Sequence, residues 1–181
     1  MSLHSDFNLR GYSIYMNITD AALIDHIKEH LRDMAFADIL RASNGGSKIG
    51  AFILGSCFID YLAGFRYRKT KTTRAKYIKF VGVYMDSFYV PERLYGDLRC
   101  KLVHDYSEGG SYAFVDARSD LHKTKLKDGR VVINLEDFIT DLLAAMQKYF
   151  DELDAGRYVD DAKRRYLDFG LLCVSTDLLE K

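Results

Sequence analysis

The sequence has one proline, three cysteines and no excess of charge, and each shortage removes a class of protein. Cys57, Cys100 and Cys173 are an odd number without paired spacing. That pattern argues against a disulfide framework or a cysteine zinc module and fits free thiols in a reducing compartment. Lys and Arg total 26 against 26 Asp and Glu, so no global field advertises a nucleic-acid partner, and any phosphate must be held by a local patch. No run approaches the ~20 apolar residues of a membrane span. The N-terminus lacks the basic-then-apolar pattern of an export signal. The expectation is a cytoplasmic protein with no membrane segment. Repeats, low-complexity tracts and linkers are also missing, so residues 1–181 read as one domain.

What is present is hydrophobic residues, 48% of the chain, spaced mostly at three and four. Residues 7–18 are mixed and aromatic and read as part of an N-terminal arm, 1–18. Thr19 or Asp20 caps a long helix to about Arg41, with the stripe Leu23, Ile27, Leu31, Met34 and Ile39, until Asn44-Gly45-Gly46 breaks it. Ser47 caps a second helix carrying Ile49, Phe52, Ile53, Phe58, Tyr61 and Leu62. It is apolar on most of its surface and so belongs at the centre. A basic run follows: Arg66, Arg68, Lys69, Lys71, Arg74, Lys76 and Lys79, interleaved with Tyr67 and Tyr77. A third helix is expected over Tyr77–Tyr89. Pro91, at a first helical position with Glu92 in the first turn, starts a fourth, ended by Gly109-Gly110. Then the period changes. Lys123–Lys127 and Arg130–Ile133 flank Asp128-Gly129, the signal of a two-residue β-hairpin, with Ser111–Val115 as a further short strand. Asn134 caps the most regular helix: Leu135, Phe138, Ile139, Leu142, Met146, Tyr149, Phe150 and Leu153, stopped by Gly156. A C-terminal extension, 157–181, holds a short last helix. The fold class is mostly α: a bundle of four to five helices, core about 19–155, with a small β-hairpin inserted before the last long helix.

The chemistry concentrates in Leu94–Tyr106, where Arg99 and His104 lie five apart on the Pro91 helix. Arg is a permanent cation whose fork of donors suits phosphate, and His exchanges a proton near neutral pH. Together they can perform phosphodiester chemistry without a metal. An ideal helix points residues five apart in directions about 140° different, so a shared site needs a bend or a twofold-related copy. The plainer alternative is a partly buried His104 and an Arg99 paired with Asp97 or Asp105. The basic run reads either as a solvated loop or as a contact for RNA backbone, with its tyrosines as core edges or as stacking platforms. His26-x-x-Glu29-His30 matches an inverted zinc-protease pattern but brings no third ligand, and Asp168-Phe169-Gly170 lacks the motifs that accompany it in kinases. Asn17-Ile18-Thr19 is an idle sequon in a cytoplasmic protein.

A helix bundle with Leu98-Arg99-Cys100-Lys101-Leu102-Val103-His104-Asp105-Tyr106 at the end of a late helix resembles the HEPN superfamily (higher eukaryotes and prokaryotes nucleotide-binding domains). The resemblance spans about residues 19–155. It implies a metal-independent endoribonuclease that acts as a homodimer in defence or toxin–antitoxin biology. Arg99 and His104 would be catalytic, and Lys101, Arg66, Arg68 and Lys69 would hold RNA, with no metal or cofactor. The expected partners are a second copy, an RNA substrate and an antitoxin-like protein. Cys100 departs from the polar residue usual there in active members. The alternative that this departure implies is a non-catalytic scaffold, interaction or ligand-sensing module.

Overall fold

The computed structural model describes residues 19–106 and 110–171. The arm expected over 1–18, the Asn17 sequon position, Gly109 and Cys173 lie outside them. The described chain is mostly helical. Its first rod comprises α1 (Asp20–His30), a π-helical run (Leu31–Phe36) and α2 (Ala37–Asn44). Thr19 caps it by accepting from the Ala22 amide at 3.3 Å. The π turn corrects the predicted stripe. Winding with i→i+5 bonds absorbs one extra residue, so the inward positions become Leu31, Phe36 and Ile39, while Met34 is turned outward, 38% exposed.

Gly45 and Gly46 break the rod as expected, and α3 (Lys48–Arg66) follows. It packs against α2, α6 and α7 and both π-helical segments, as well as α4, which makes it the central helix. It is also long and apolar enough to cross a membrane on length and composition, with mean hydropathy 1.4, against the expectation that no stretch would be. Half of that stretch is buried inside the protein. Close approach to α6 is permitted by Gly55, where a Cβ would stand 2.7 Å from the Phe138 ring and 3.0 Å from Leu142.

α4 covers Thr73–Tyr84, earlier than the expected 77–89, because Thr72 caps it, accepting from the Ala75 amide at 3.2 Å. α5 (Pro91–Leu94) does start at Pro91. It then runs directly into a second π-helical segment, Tyr95–Asp105, which Tyr106 ends in the left-handed region (φ 50°). Eleven residues is long for this winding, which mostly occurs as single turns.

The β element differs from the expected hairpin. β1 (Tyr112–Val115) and β2 (Val131–Asn134) form a parallel pair, with Tyr112 opposite Val131 and Val115 opposite Asn134. The Asp128-Gly129 turn exists, but as a three-residue connection closed by Leu126 N–H to Arg130 O at 2.7 Å, with Gly129 at φ 89°. Its first arm makes a single antiparallel bridge, Lys125 with Val131. Lys123, at φ 66°, cuts that arm short. The connection is pinned to the bundle by polar contacts. Asp141 accepts from the Tyr89 hydroxyl at 2.7 Å and lies 3.5 Å from the Lys123 ammonium, and the Asn134 amide donates to His122 Nδ1 at 3.1 Å.

α6 (Leu135–Asp154) buries every residue of its predicted stripe, and α7 (Val159–Phe169) returns across α1 and α3.

Candidate functional site

Between Lys48 and Arg66 the central helix carries one charged side chain, Asp60. It meets Arg99, whose Nε donates to the Asp60 carboxylate. The two side chains are 14% and 24% exposed, so the pair is formed at the edge of the core. Burial pushes the Asp60 carboxyl above its ordinary range, which Arg99 only partly offsets. Burial works against the charge on Arg99, yet the Asp60 hydrogen bond and charge outweigh it and hold the guanidinium above its usual value. Asp60 Oδ1 and Arg99 Nη1 are both buried without a hydrogen-bond partner among the described residues. The plain alternative of an Arg99 pair with Asp97 or Asp105 is therefore replaced by a long-range one.

The pair lines a cleft of about 600 Å³. One wall is the first rod, with His30, Met34 and Ala35. The floor is α3, with Leu54, Cys57, Phe58, Asp60 and Gly64. Asp38 of the first rod, Tyr61 of α3, Thr73 and Lys76 of α4, Arg99, and Arg165 and Phe169 of α7 also line it. Both π-helical segments thus border one cavity, and such turns recur at functional sites. Burial, then the neighbouring His26, lowers the pKa of His30. Burial pushes the Cys57 thiol up, away from the reactive thiolate.

His104 is exposed in the last turn of the motif segment and does not line the cleft. Lys101 stands 3.6 Å from the buried Asp97. Arg66 donates to the Tyr84 hydroxyl at 2.6 Å, lies 3.7 Å from Glu152 and covers the Tyr158 ring, 3.1 Å from its centre. Arg68 donates to Asp168 at 2.8 Å. Lys69 is exposed. Of the expected RNA-holding set, Arg66, Arg68 and Lys101 therefore already face carboxylates of their own chain. The basic run does reach the motif segment. Tyr77 meets the Tyr95 ring edge-on at 5.2 Å, and Arg74 lies 5.9 Å above that ring. His26 and His30 of the zinc-like pattern turn their rings toward Tyr166 and Tyr61.

Sequence reasoning missed Asp60 and Arg165. A lone carboxylate on an otherwise apolar helix was a usable signal for the first, since such a group is rarely buried unless paired. Arg165 sits on an exposed-looking charged helix, Asp160-Asp161-Ala162-Lys163-Arg164-Arg165, and nothing in the pattern singles it out.

No protein-family model, curated protein or solved structure matches the chain.

Proposed function

We propose that this chain is an HEPN-like, metal-independent endoribonuclease that works as a homodimer in defence or toxin–antitoxin biology. The observation that carries the reading is the winding of Tyr95–Asp105. In an α-helix, Arg99 and His104 would diverge by about 140°. In a run of i→i+5 turns, residues five apart come toward a common side, as i and i+4 do in an α-helix. Asp60 fixes one edge of the Arg99 fork, and Nη1 is without a hydrogen-bond partner among the described residues, a donor for a phosphoryl oxygen. Exposed Arg74, above the Tyr95 ring, stands beside the segment, and exposed Lys69 and Lys71 of the same basic run supply further backbone contacts.

In the reaction, His104 takes the proton of a ribose 2′-OH as that oxygen attacks the adjacent phosphorus. Arg99 donates to the non-bridging oxygens as their charge grows. The 5′-oxygen leaves with a proton from His104 of the partner subunit. The products carry a 2′,3′-cyclic phosphate and a 5′-hydroxyl. An antitoxin-like protein that covers the exposed His104 would silence the site.

The test is cleavage of mixed-sequence single-stranded RNA in EDTA, alongside light scattering. A dimer that yields cyclic-phosphate ends, and loses about 10²- to 10⁴-fold in rate on His104→Ala while keeping its fold, supports the reading. A monomer, no cleavage, or cleavage unchanged by His104→Ala removes it. A second reading, a non-catalytic interaction or ligand-sensing module, is favoured by one observation: Asp60 already occupies part of the Arg99 fork.

A further inference from the structure

Arg165 is the arginine of the cleft that has no ion-paired carboxylate among the described residues. Asp60 is bound to Arg99, Asp38 to Arg41 at 2.7 Å, and Asp168, the acid nearest Arg165 in sequence, to Arg68. The guanidinium of Arg165 instead lies among rings, 4.0 Å from the centre of Phe169 and 5.7 Å from that of Phe65. Its Nη1 is buried without a hydrogen-bond partner among the described residues. The stem is laid flat on α3 because position 64 is glycine; a Cβ there would stand 3.2 Å from Arg165 Nε. Burial depresses the Arg165 pKa, the mark of a charge taken from water without full compensation. Lys76 adds a second positive group at the same cleft. Met34, Ala35, Leu54, Phe58 and Phe169 give the cleft an apolar wall, beside the polar groups of His30, Tyr61 and Thr73. Met34 and Leu54 are each 38% exposed and Phe169 73%, so the cleft opens a greasy wall toward solvent beside a cation whose burial Tyr61 and Asp168 only partly offset.

We propose that this cleft is a binding site for a small amphipathic anion, a hydrocarbon or aromatic body carrying one carboxylate, whose carboxylate is held by Arg165 and whose body lies on Met34, Leu54, Phe58 and Phe169. A carboxylate suits an arginine of the cleft without an ion pair among the described residues, because an Arg fork donates two parallel hydrogen bonds to it, and Lys76 adds to the attraction. The volume, about 600 Å³, lies within the range of small-molecule sites, which are mostly apolar with a few placed polar groups. The site shares its cleft with Arg99 but needs neither His104 nor a second copy, so it is tested apart from RNA cleavage.

The experiment is isothermal titration of the full chain with octanoate and with 2-naphthoate, each against its uncharged amide. At least one acid should bind saturably at one site per chain, about tenfold or more tighter than its amide, because a charge-assisted hydrogen bond to a desolvated guanidinium is lost in the amide. Arg165→Gln should abolish that preference while the amide binds as before, and Arg165→Lys should restore part of it. Leu54→Ser, at a partly exposed position, should weaken acid and amide alike. Circular dichroism of each variant separates lost binding from lost folding. No saturable binding by either acid, equal affinity for acid and amide, or a preference that survives Arg165→Gln in a folded protein overturns the proposal.

Discussion

Arg99 and Asp60, 39 positions apart in the chain, join the motif segment to the central helix through one ion pair at the edge of the core. Each partner leaves a buried atom without a hydrogen-bond partner among the described residues when the pair is intact. Removing either partner strands a charge that burial already disfavours. Asp60→Asn and Arg99→Met should each cost about 1–3 kcal/mol of stability. The double variant should cost less than the sum of the two, because no charge is left unpaired. Urea unfolding of all four proteins gives the coupling; additive losses would mean that the pair contributes no mutual stabilisation.

His30 supplies an acid-side weakness. Its pKa in the folded chain is lowered by burial and then by His26, so the unfolded chain binds the proton more readily. Stability tied to the neutral imidazole is therefore full above about pH 6.5 and declines as pH falls below it. His30→Gln should lose less stability than wild type between about pH 7.5 and about pH 5.5, read as the change in urea midpoint. Parallel losses in the two proteins would place the titration elsewhere.

Gly55 sets the distance between α3 and α6. Alanine there meets Phe138 at 2.7 Å and Leu142 at 3.0 Å, contacts in which something must move. Gly55→Ala should destabilise by about 1–3 kcal/mol despite the better helix propensity of alanine. A thermal melt that rises instead would mean that α6 retreats without cost.

The basic run divides into two kinds of cation. Arg66 is engaged with Tyr84, Glu152 and Tyr158, whereas Lys69, Lys71 and Arg74 are exposed. If RNA follows this surface, Lys69→Gln with Lys71→Gln should lower affinity and flatten its salt dependence without moving the melting temperature. Arg66→Gln should do the reverse, lowering the melting temperature with little effect on the salt slope. Filter binding across a salt series checks both.

The helices were legible where one face is buried throughout. α6 is the case in point: all eight residues of its predicted stripe, Leu135 to Leu153, are inside. Pro91 and the Asn44-Gly45-Gly46 break also fell where backbone chemistry requires. What could not be read was winding. Hydrophobic spacing is interpreted with 3.6 residues per turn, so the first π turn cost Met34 its expected place in the core and the second changed the geometry of the motif. The β pairing is not legible because Asp128-Gly129 specifies a local turn, whereas pairing of Val131–Asn134 with Tyr112–Val115 is decided by burial against the bundle. The Arg99 partner is illegible for the same reason: spacing along the chain points to local acids, whereas Asp60 arrives from another helix.

The π run at Leu31–Phe36 has a consequence for tolerated chain length. Its inward residues Leu31, Phe36 and Ile39 are spaced five and three. Excising one outward residue, Arg32 or Asp33, leaves spacings of four and three, those of an ordinary α-helix. A one-residue deletion inside a helix normally swings everything beyond it by about 100° and ruins the packing. Here the same excision should return the rod to regular winding with Ile39 still facing the core, whereas a deletion a turn earlier, within the α-helical Asp20–His30, has no such slack to draw on. The first rod thus carries one residue more than its span requires, inserted where it turns Met34 out toward the cleft.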